Sequence, residues 1–208
     1  SNEVLCIAAD RNGFIWAATS GGGIVKITKE KNSQSQYRLT SFQNNPGNIN
    51  SIASNKLWSL TFDNNNYGYA GTLDKGLVIF NASEKDEAIK FRKVDLNAHG
   101  TLNPQIDAIN YDASNKMIWI LSGASALFVL KQAEQPLIDT LAVNEVLVQL
   151  NKQLQNKITR PLAVFTDSKN YSWLSSDDGA LVRFKLQVNP YNIAFYQMAE
   201  LKNSINQL

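Results

Sequence analysis

The sequence is poor in the residues that most often carry chemistry. It has one cysteine and one histidine among 208 residues. With Cys6 alone, no disulfide can form inside the chain. The count is silent on compartment, because an oxidising compartment does not oblige a protein to carry disulfides. Cys6 lies in an apolar stretch without a neighbouring base, which reads as a buried, inert thiol rather than a nucleophile. With His99 alone, no cluster of imidazoles exists for zinc or a di-metal centre. Neither sign of charge is in excess: 20 Lys and Arg stand against 18 Asp and Glu, a net charge of +2. That balance gives no reason to expect a nucleic acid or an acidic membrane as partner. No apolar run approaches the ~18 residues of a membrane span, so any membrane attachment is expected in parts of the protein outside this segment. The first residues do not read as a secretory leader. A nucleophile elbow, a phosphate loop and a dinucleotide fingerprint are all lacking. Catalysis by this segment is not expected, and neither is a cofactor.

What the sequence does have is a repeat. The stretch Asp10-Arg-Asn-Gly-Phe-Ile-Trp-Ala-Ala-Thr-Ser-Gly-Gly-Gly returns in imperfect copies led by Asp63, Asp112 and Asp167, at separations of 53, 49 and 55 residues. Six or seven residues after each aspartate stands a large aromatic residue: Trp16, Tyr69, Trp119 and Trp173. Three residues further on is a hydroxyl residue: Thr19, Thr72, Ser122 and Ser176. A small residue then closes a second turn (Gly23, Gly76, Ala126, Ala180), and an apolar strand follows. Self-similarity at a period near 50 marks a repeat architecture.

Each copy parses as four short strands. Val4 to Ala9 is apolar and ends at Asp10, whose carboxylate can accept backbone N–H bonds two residues on, while Asn12-Gly13 tolerates positive φ. Phe14 to Thr19, Ile24 to Thr28 and Tyr37 to Phe42 follow. Four antiparallel strands per repeat make one propeller blade. The expected fold is all-β, a single propeller domain or segment of four blades over about 4–42, 56–95, 106–143 and 161–199. The 44% hydrophobic content is enough for a sizeable core. The aromatic at mid-strand should fill the space between neighbouring sheets. A sugar-stacking platform is the alternative role for it.

One departure is expected. Val143, Leu147, Leu150 and Leu154 fall on one face of a helix, with Asn144 able to cap it. The spacing predicts a short helix over about 144–156, packed over the ends of the third and fourth blades or else binding a partner. The segment Asn203-Ser204-Ile205 repeats Asn50-Ser51-Ile52, so the chain reads as four whole repeats cut in phase. They could close as a four-bladed ring or form an arc of a larger propeller. An open arc would leave two apolar faces for further blades or a second copy of the chain.

The pattern resembles the two-component-regulator propeller repeat, whose blades read roughly Asp-x-x-Gly-x-aromatic-Trp-x-Gly-Thr-x-x-Gly-Gly-Leu. The residues that carry the likeness are Asp10-Arg-Asn-Gly-Phe-Ile-Trp-Ala-Ala-Thr, Gly71-Thr-Leu-Asp-Lys-Gly-Leu77 and the inter-blade segment Phe42-Gln-Asn-Asn-Pro-Gly-Asn-Ile-Asn-Ser-Ile52. The third copy departs most, with Ser122-Gly123 for Gly-Thr and Ala126 for a glycine. The resemblance implies the periplasmic sensor region of a hybrid two-component histidine kinase, tuned to a carbohydrate fragment. It also admits a structural interaction propeller of a surface or secretion assembly.

Propeller ligands meet the face formed by the inter-blade crossings and the turns between second and third strands. On this chain the candidate residues there are Ser20, Asp74, Lys75, His99, Asp177 and Asp178, among short polar neighbours that suit hydrogen bonding to an oligosaccharide. Plain solvation of each is the competing reading. The aspartate turns look like the start of a calcium loop at Asp10-x-Asn12 and Asp63-x-Asn65. They lack a closing glutamate, and the turns at Asp112 and Asp167 lose the second ligand. They are expected to be structural turns, with no metal.

Overall fold

The computed structural model describes residues 3–30, 36–94, 96, 105–123, 126–132, 143–145, 158, 160–189 and 192–200. Each repeat folds as a four-stranded antiparallel sheet whose strands pair in chain order. The first sheet comprises β1 (Val4–Ala9), β2 (Ile15–Thr19), β3 (Ile24–Lys29) and β4 (Tyr37–Phe42). The second comprises β5 (Leu57–Phe62), β6 (Tyr67–Thr72), β7 (Leu77–Asn81) and β8 (Arg92–Val94). The third comprises β9 (Ile106–Asp112), β10 (Met117–Ser122), β11 (Ala126–Lys131) and β12 (Val143–Glu145). The fourth comprises β13 (Pro161–Thr166), β14 (Ser172–Ser176), β15 (Leu181–Asn189) and β16 (Asn192–Glu200). Among the described residues the only helical element is a single 3-10 turn, Asp86–Ala88.

The expected helix over 144–156 is corrected at its start. Val143–Glu145 is an extended strand, pairing Val143 with Leu130 and Glu145 with Phe128. Asn144 therefore sits in a ladder opposite Val129. The edge of β11 offered unpaired backbone groups, and pairing them outweighed the local helical spacing. Residues 146–157 lie outside the described residues. The fourth strand of the third repeat is thus Val143–Glu145, which carries the sheet past the expected blade end at 143.

The sheets pack face to face in sequence, and the aromatic of each repeat points forward into the next. Trp16 is buried among Leu60, Phe62, Val78 and Phe80 of the second sheet, with ring centroids 5.7 Å from Phe62 and 5.2 Å from Phe80. Tyr69 joins Ile118, Ile120 and Phe128 of the third sheet. Trp119 joins Leu174, Val182 and Phe184 of the fourth, meeting the Phe184 ring edge-on at 5.7 Å. This is the blade packing expected of the aromatic position. It explains Gly68: a Cβ there would run into the Phe80 ring, which has to lie flat over the strand to reach Trp16. The inner strands β1, β5, β9 and β13 neighbour one another in that order.

Among the described residues, three sheet-to-sheet interfaces are formed. Ile7 and Leu39 on the outer face of the first sheet are 69% and 66% exposed, and Phe165 on that of the fourth is 59% exposed. Among the described residues, these exposed side chains are not covered by another sheet.

Candidate functional site

Two faces of the blade array have different characters. The turns between first and second strands line one face, and they are held by their aspartates. Asp10 Oδ1 accepts from the N–H of Asn12 and Phe14 at 2.9 and 3.0 Å, and its Oδ2 accepts from Trp16 Nε1 at 3.0 Å. Asp63 repeats this with Asn65 N–H, Tyr67 N–H and the Tyr69 hydroxyl, each at 2.9 Å. Asp167 repeats it with Lys169 N–H, Tyr171 N–H and Trp173 Nε1, at 2.8, 3.0 and 2.8 Å. The carboxylate oxygens are thus engaged by donors from their own turn and strand, the structural use expected of them.

Burial pushes the Asp63 carboxyl upward against the pull of its hydrogen bonds. The same burial, with the Asp63 charge beside it, pushes the Tyr69 phenol far up, so this hydroxyl stays a donor. At Asp167 the Trp173 hydrogen bond leads in holding the carboxyl below its ordinary value. Each turn ends in a left-handed residue, at Gly13 (φ 80), Asn66 (φ 64), Lys116 (φ 54) and Asn170 (φ 63). Glycine and asparagine take that conformation most readily.

The third turn breaks the pattern. Its aromatic stands seven residues after the aspartate instead of six, and Asp112 enters the ladder opposite Met117. Asp112 Oδ2 then binds Asn115 Nδ2 at 2.7 Å and the hydroxyl of Thr166 in the next sheet at 3.1 Å. Trp119 Nε1 is left buried with no hydrogen-bond partner.

The opposite face carries the turns between second and third strands and the inter-blade crossings. In the first two sheets a threonine holds the turn. Thr19 Oγ1 donates to Gly23 O at 2.9 Å and accepts from Gly22 N–H at 2.9 Å. Thr72 Oγ1 donates to Gly76 O and accepts from Lys75 N–H, both at 2.8 Å. In the other two a serine reaches back to the chain before the first strand: Ser122 Oγ to Gln105 O and Ser176 Oγ to Arg160 O, both at 2.9 Å.

The crossing from the first to the second sheet is tied by its own short polar side chains. Asn44 Nδ2 donates to Ile52 O at 2.7 Å, and Asn44 N–H donates to Asn55 Oδ1 at 2.7 Å. Asn45 and Ser51 exchange two bonds, of 3.0 and 2.9 Å. Asn55 O receives the N–H groups of Gly21 and Gly23 at 2.8 and 3.0 Å, locking the crossing to the first turn.

The candidate ligand residues fall on this face. Ser20 is half-buried and makes an isolated bridge with Lys56, which brings the first sheet's turn beside the start of the second. Asp74 and Lys75 are exposed at the tip of the second sheet's turn. Asp177 and Asp178 are exposed at the tip of the fourth. Asp178 Oδ1 accepts from Ala180 N–H at 3.1 Å. His99 lies outside the described residues. Ser20 and the Asp74–Lys75 tip sit on adjacent sheets, while Asp177 and Asp178 are two sheets further round. Sequence reasoning did not single out the Asn44–Asn55 crossing as a self-bonded platform. Its signal was present as a density of Asn and Ser around Pro46-Gly47.

A cleft of about 390 Å³ opens elsewhere on the second sheet, among Tyr67, Asn81, Glu84, Lys90 and Arg92. Among the described residues no three His, Cys, Asp or Glu side chains gather as a metal set, and no helix is long and apolar enough to cross a membrane.

Comparison with known proteins bears on this geometry. Residues 1–21, which run from β1 through the first aspartate turn and β2, match the family model described as Two component regulator propeller. The match covers the first half of the first blade. No curated protein matches the chain. Among solved structures, the propeller is similar to the extracellular domain of a one component system from B. thetaiotaomicron. The TM-score is 0.67 at 13% identity, over 98% of this chain and 25% of that one. It is similar also to the extracellular domain of a hybrid two component system from the same organism. There the TM-score is 0.66 at 18% identity, over 95% of this chain and 25% of that one. A third likeness, with a TM-score of 0.64 at 13% identity, is to a periplasmic gluconolactonase of Pseudomonas aeruginosa, over 94% of this chain and 53% of that one. At these identities the likeness is one of fold. The chain spans about a quarter of the length of the two extracellular domains.

Proposed function

We propose that this propeller segment is the ligand-binding, non-enzymatic module of a periplasmic two-component sensor, and that its ligand is a carbohydrate. The observation that carries the reading is the conjunction of a two-component-regulator propeller repeat at residues 1–21 with a rigid, polar turn-and-crossing face. On that face Ser20, Asp74, Lys75, Asp177 and Asp178 are presented by turns whose backbones are already hydrogen-bonded. Short donors and acceptors on a pre-ordered backbone suit a polyol, which offers many weak polar groups and little apolar area. Function as an interaction propeller of a surface assembly is the second reading, and the exposed apolar residues on the end sheets favour it.

Gluconolactonases share the fold, so the experiment has two arms. The purified protein is screened against a panel of oligosaccharides by thermal shift and then by calorimetry, and the same samples are assayed for hydrolysis of gluconolactone. The reading expects saturable binding of an oligosaccharide without turnover, weakened by Asp74→Ala or Asp177→Ala. Lactone turnover without glycan binding would contradict it.

A further inference from the structure

We propose that Trp58 is the platform on which an uncharged sugar ring stacks when an oligosaccharide binds the turn-and-crossing face; this rests on the carbohydrate reading above and names a contact within it. The four sheets share a skip in one ladder. Where first and second strands pair, one residue of the first strand is left without a partner: Leu5 in β1, Trp58 in β5, Asp107 in β9 and Leu162 in β13. Each follows the residue that lies opposite the clamping hydroxyl of Thr19, Thr72, Ser122 or Ser176. Two residues before each skip, a backbone carbonyl accepts the N–H of the residue after that hydroxyl. Glu3 O receives Ser20 at 3.1 Å, and Lys56 O, Gln105 O and Arg160 O receive Leu73, Gly123 and Asp177 at 3.0 Å each. The extra residue is thus held between hydrogen bonds on both sides. Such a bulge re-aims one side chain of a strand.

In β5 the packing shows where that side chain goes. Leu57 and Leu60 both join the cluster around Trp16 although they are three residues apart. An unbroken strand would send them to opposite faces. Ser59 is buried beside Gly71, where Ile106 of the third sheet also packs. Trp58 is the residue left over, and it is 44% exposed. Its sheet is covered by the first sheet on one side and by the third on the other. The exposure therefore belongs to the inner edge of the array and not to an end sheet. The mid-strand aromatics Trp16, Tyr69 and Trp119 are buried between sheets and present no ring face to solvent.

The skip sets Trp58 at the end of β5 that meets the face of Ser20, Asp74 and Lys75. Lys56, two residues before it, is exposed and bridges to Ser20. On the adjoining inner strand the equivalent position is Asp107, whose Oδ1 accepts from Gln105 Nε2. One indole thus stands among charged and polar groups. A sugar ring has the matching surface, with C–H groups on one face to cover the indole and hydroxyls round its rim to stay hydrogen-bonded. A protein partner needs roughly 800 Å² on each side, far more than one indole in a polar surround offers. Lys56 and Lys75 balance Asp74 and Asp107, so no net field favours a charged ring.

Calorimetry and nitrogen–proton NMR spectra of the 208-residue protein test this, with the uncharged members of the oligosaccharide panel as probes. Trp58→Ala should weaken the tightest of them by about tenfold or more, with an unchanged circular dichroism spectrum because the side chain is exposed. Trp58→Phe keeps a ring and should recover most of the affinity. The indole resonance missing from Trp58→Phe is that of Trp58. In the unaltered protein it should shift on titration while those of Trp16 and Trp119 stay in place. Undiminished affinity in Trp58→Ala, a Trp58 resonance that stays put while sugar binds, or binding confined to charged oligosaccharides overturns the inference and leaves the carbohydrate reading standing. Failure of every oligosaccharide to bind the unaltered protein overturns both.

Discussion

Trp16 and Trp119 are both fully buried and both face the next sheet, yet only one indole N–H is used. Trp16 Nε1 donates to Asp10, which is itself buried, whereas Trp119 Nε1 has no acceptor. The one extra residue between Asp112 and Trp119 accounts for the difference. Trp16→Phe should therefore cost more than Trp119→Phe in chemical denaturation. The first leaves a buried carboxylate oxygen unpaired, at about 1–3 kcal/mol beyond the lost ring area, while the second removes a donor already unsatisfied. Asp10→Ala frees two backbone N–H groups as well and should cost on the order of 1–3 kcal/mol or more. Calcium should not raise the melting temperature of the unaltered protein, because donors from the turn and from Trp16 occupy the Asp10 oxygens. A calcium-dependent rise that disappears in Asp10→Ala would contradict this. The aspartate and aromatic positions were legible in the sequence because a turn acceptor and a mid-strand ring recur at nearly fixed spacing. The bond between them was not, since six residues versus seven looks trivial until the strand register is known.

At the scale of elements, the contact between the first two sheets has a charged patch at its outer edge. Asp86, on the 3-10 turn of the second sheet, bonds Lys26 at 2.8 Å and the Thr40 hydroxyl at 3.0 Å, both from the first sheet. Burial pulls the Asp86 carboxyl upward, but the hydrogen bonds from Lys26 and Thr40 and the nearby positive charges outweigh it and leave it below its ordinary value of 3.8. A carboxyl depressed by folding stabilises the folded state above its unfolded pKa, and that stability is lost as pH falls through the folded value. Acid below about pH 4 should thus loosen this interface. Asp86→Asn should flatten the acid limb of the stability curve and lower stability at neutral pH, since it leaves Lys26 buried without its counter-charge, on the order of 3 kcal/mol. A curve unchanged by the substitution would show that the pair contributes nothing. This pairing was not legible in the sequence, because Lys26 and Asp86 lie 60 residues apart. Sequence reasoning also mistook the edge strand at Val143–Glu145 for a helix start, since three residues of strand added at a sheet edge leave too short a pattern to outvote a longer helical one.

At the scale of the whole molecule, the repeat itself was the readable feature. One register, met four times, specifies four sheets, their strand order and the forward-pointing aromatic. What it does not specify is a ligand, because the turn-and-crossing face is where the copies differ most. Threonine clamps give way to serines that reach backwards, and the crossing at Asn44–Asn55 has its own network. Backbone amide chemical-shift mapping during titration with an oligosaccharide from the panel tests the central claim most directly. The account predicts saturable shifts confined to the turn-and-crossing face: Ser20 to Gly22, Asn44 to Asn50, Leu73 to Lys75, and Asp177 with Asp178. Shifts centred on the opposite face, at the turns of Asp10, Asp63 and Asp167, or no saturable shift with any oligosaccharide of the panel, would contradict it.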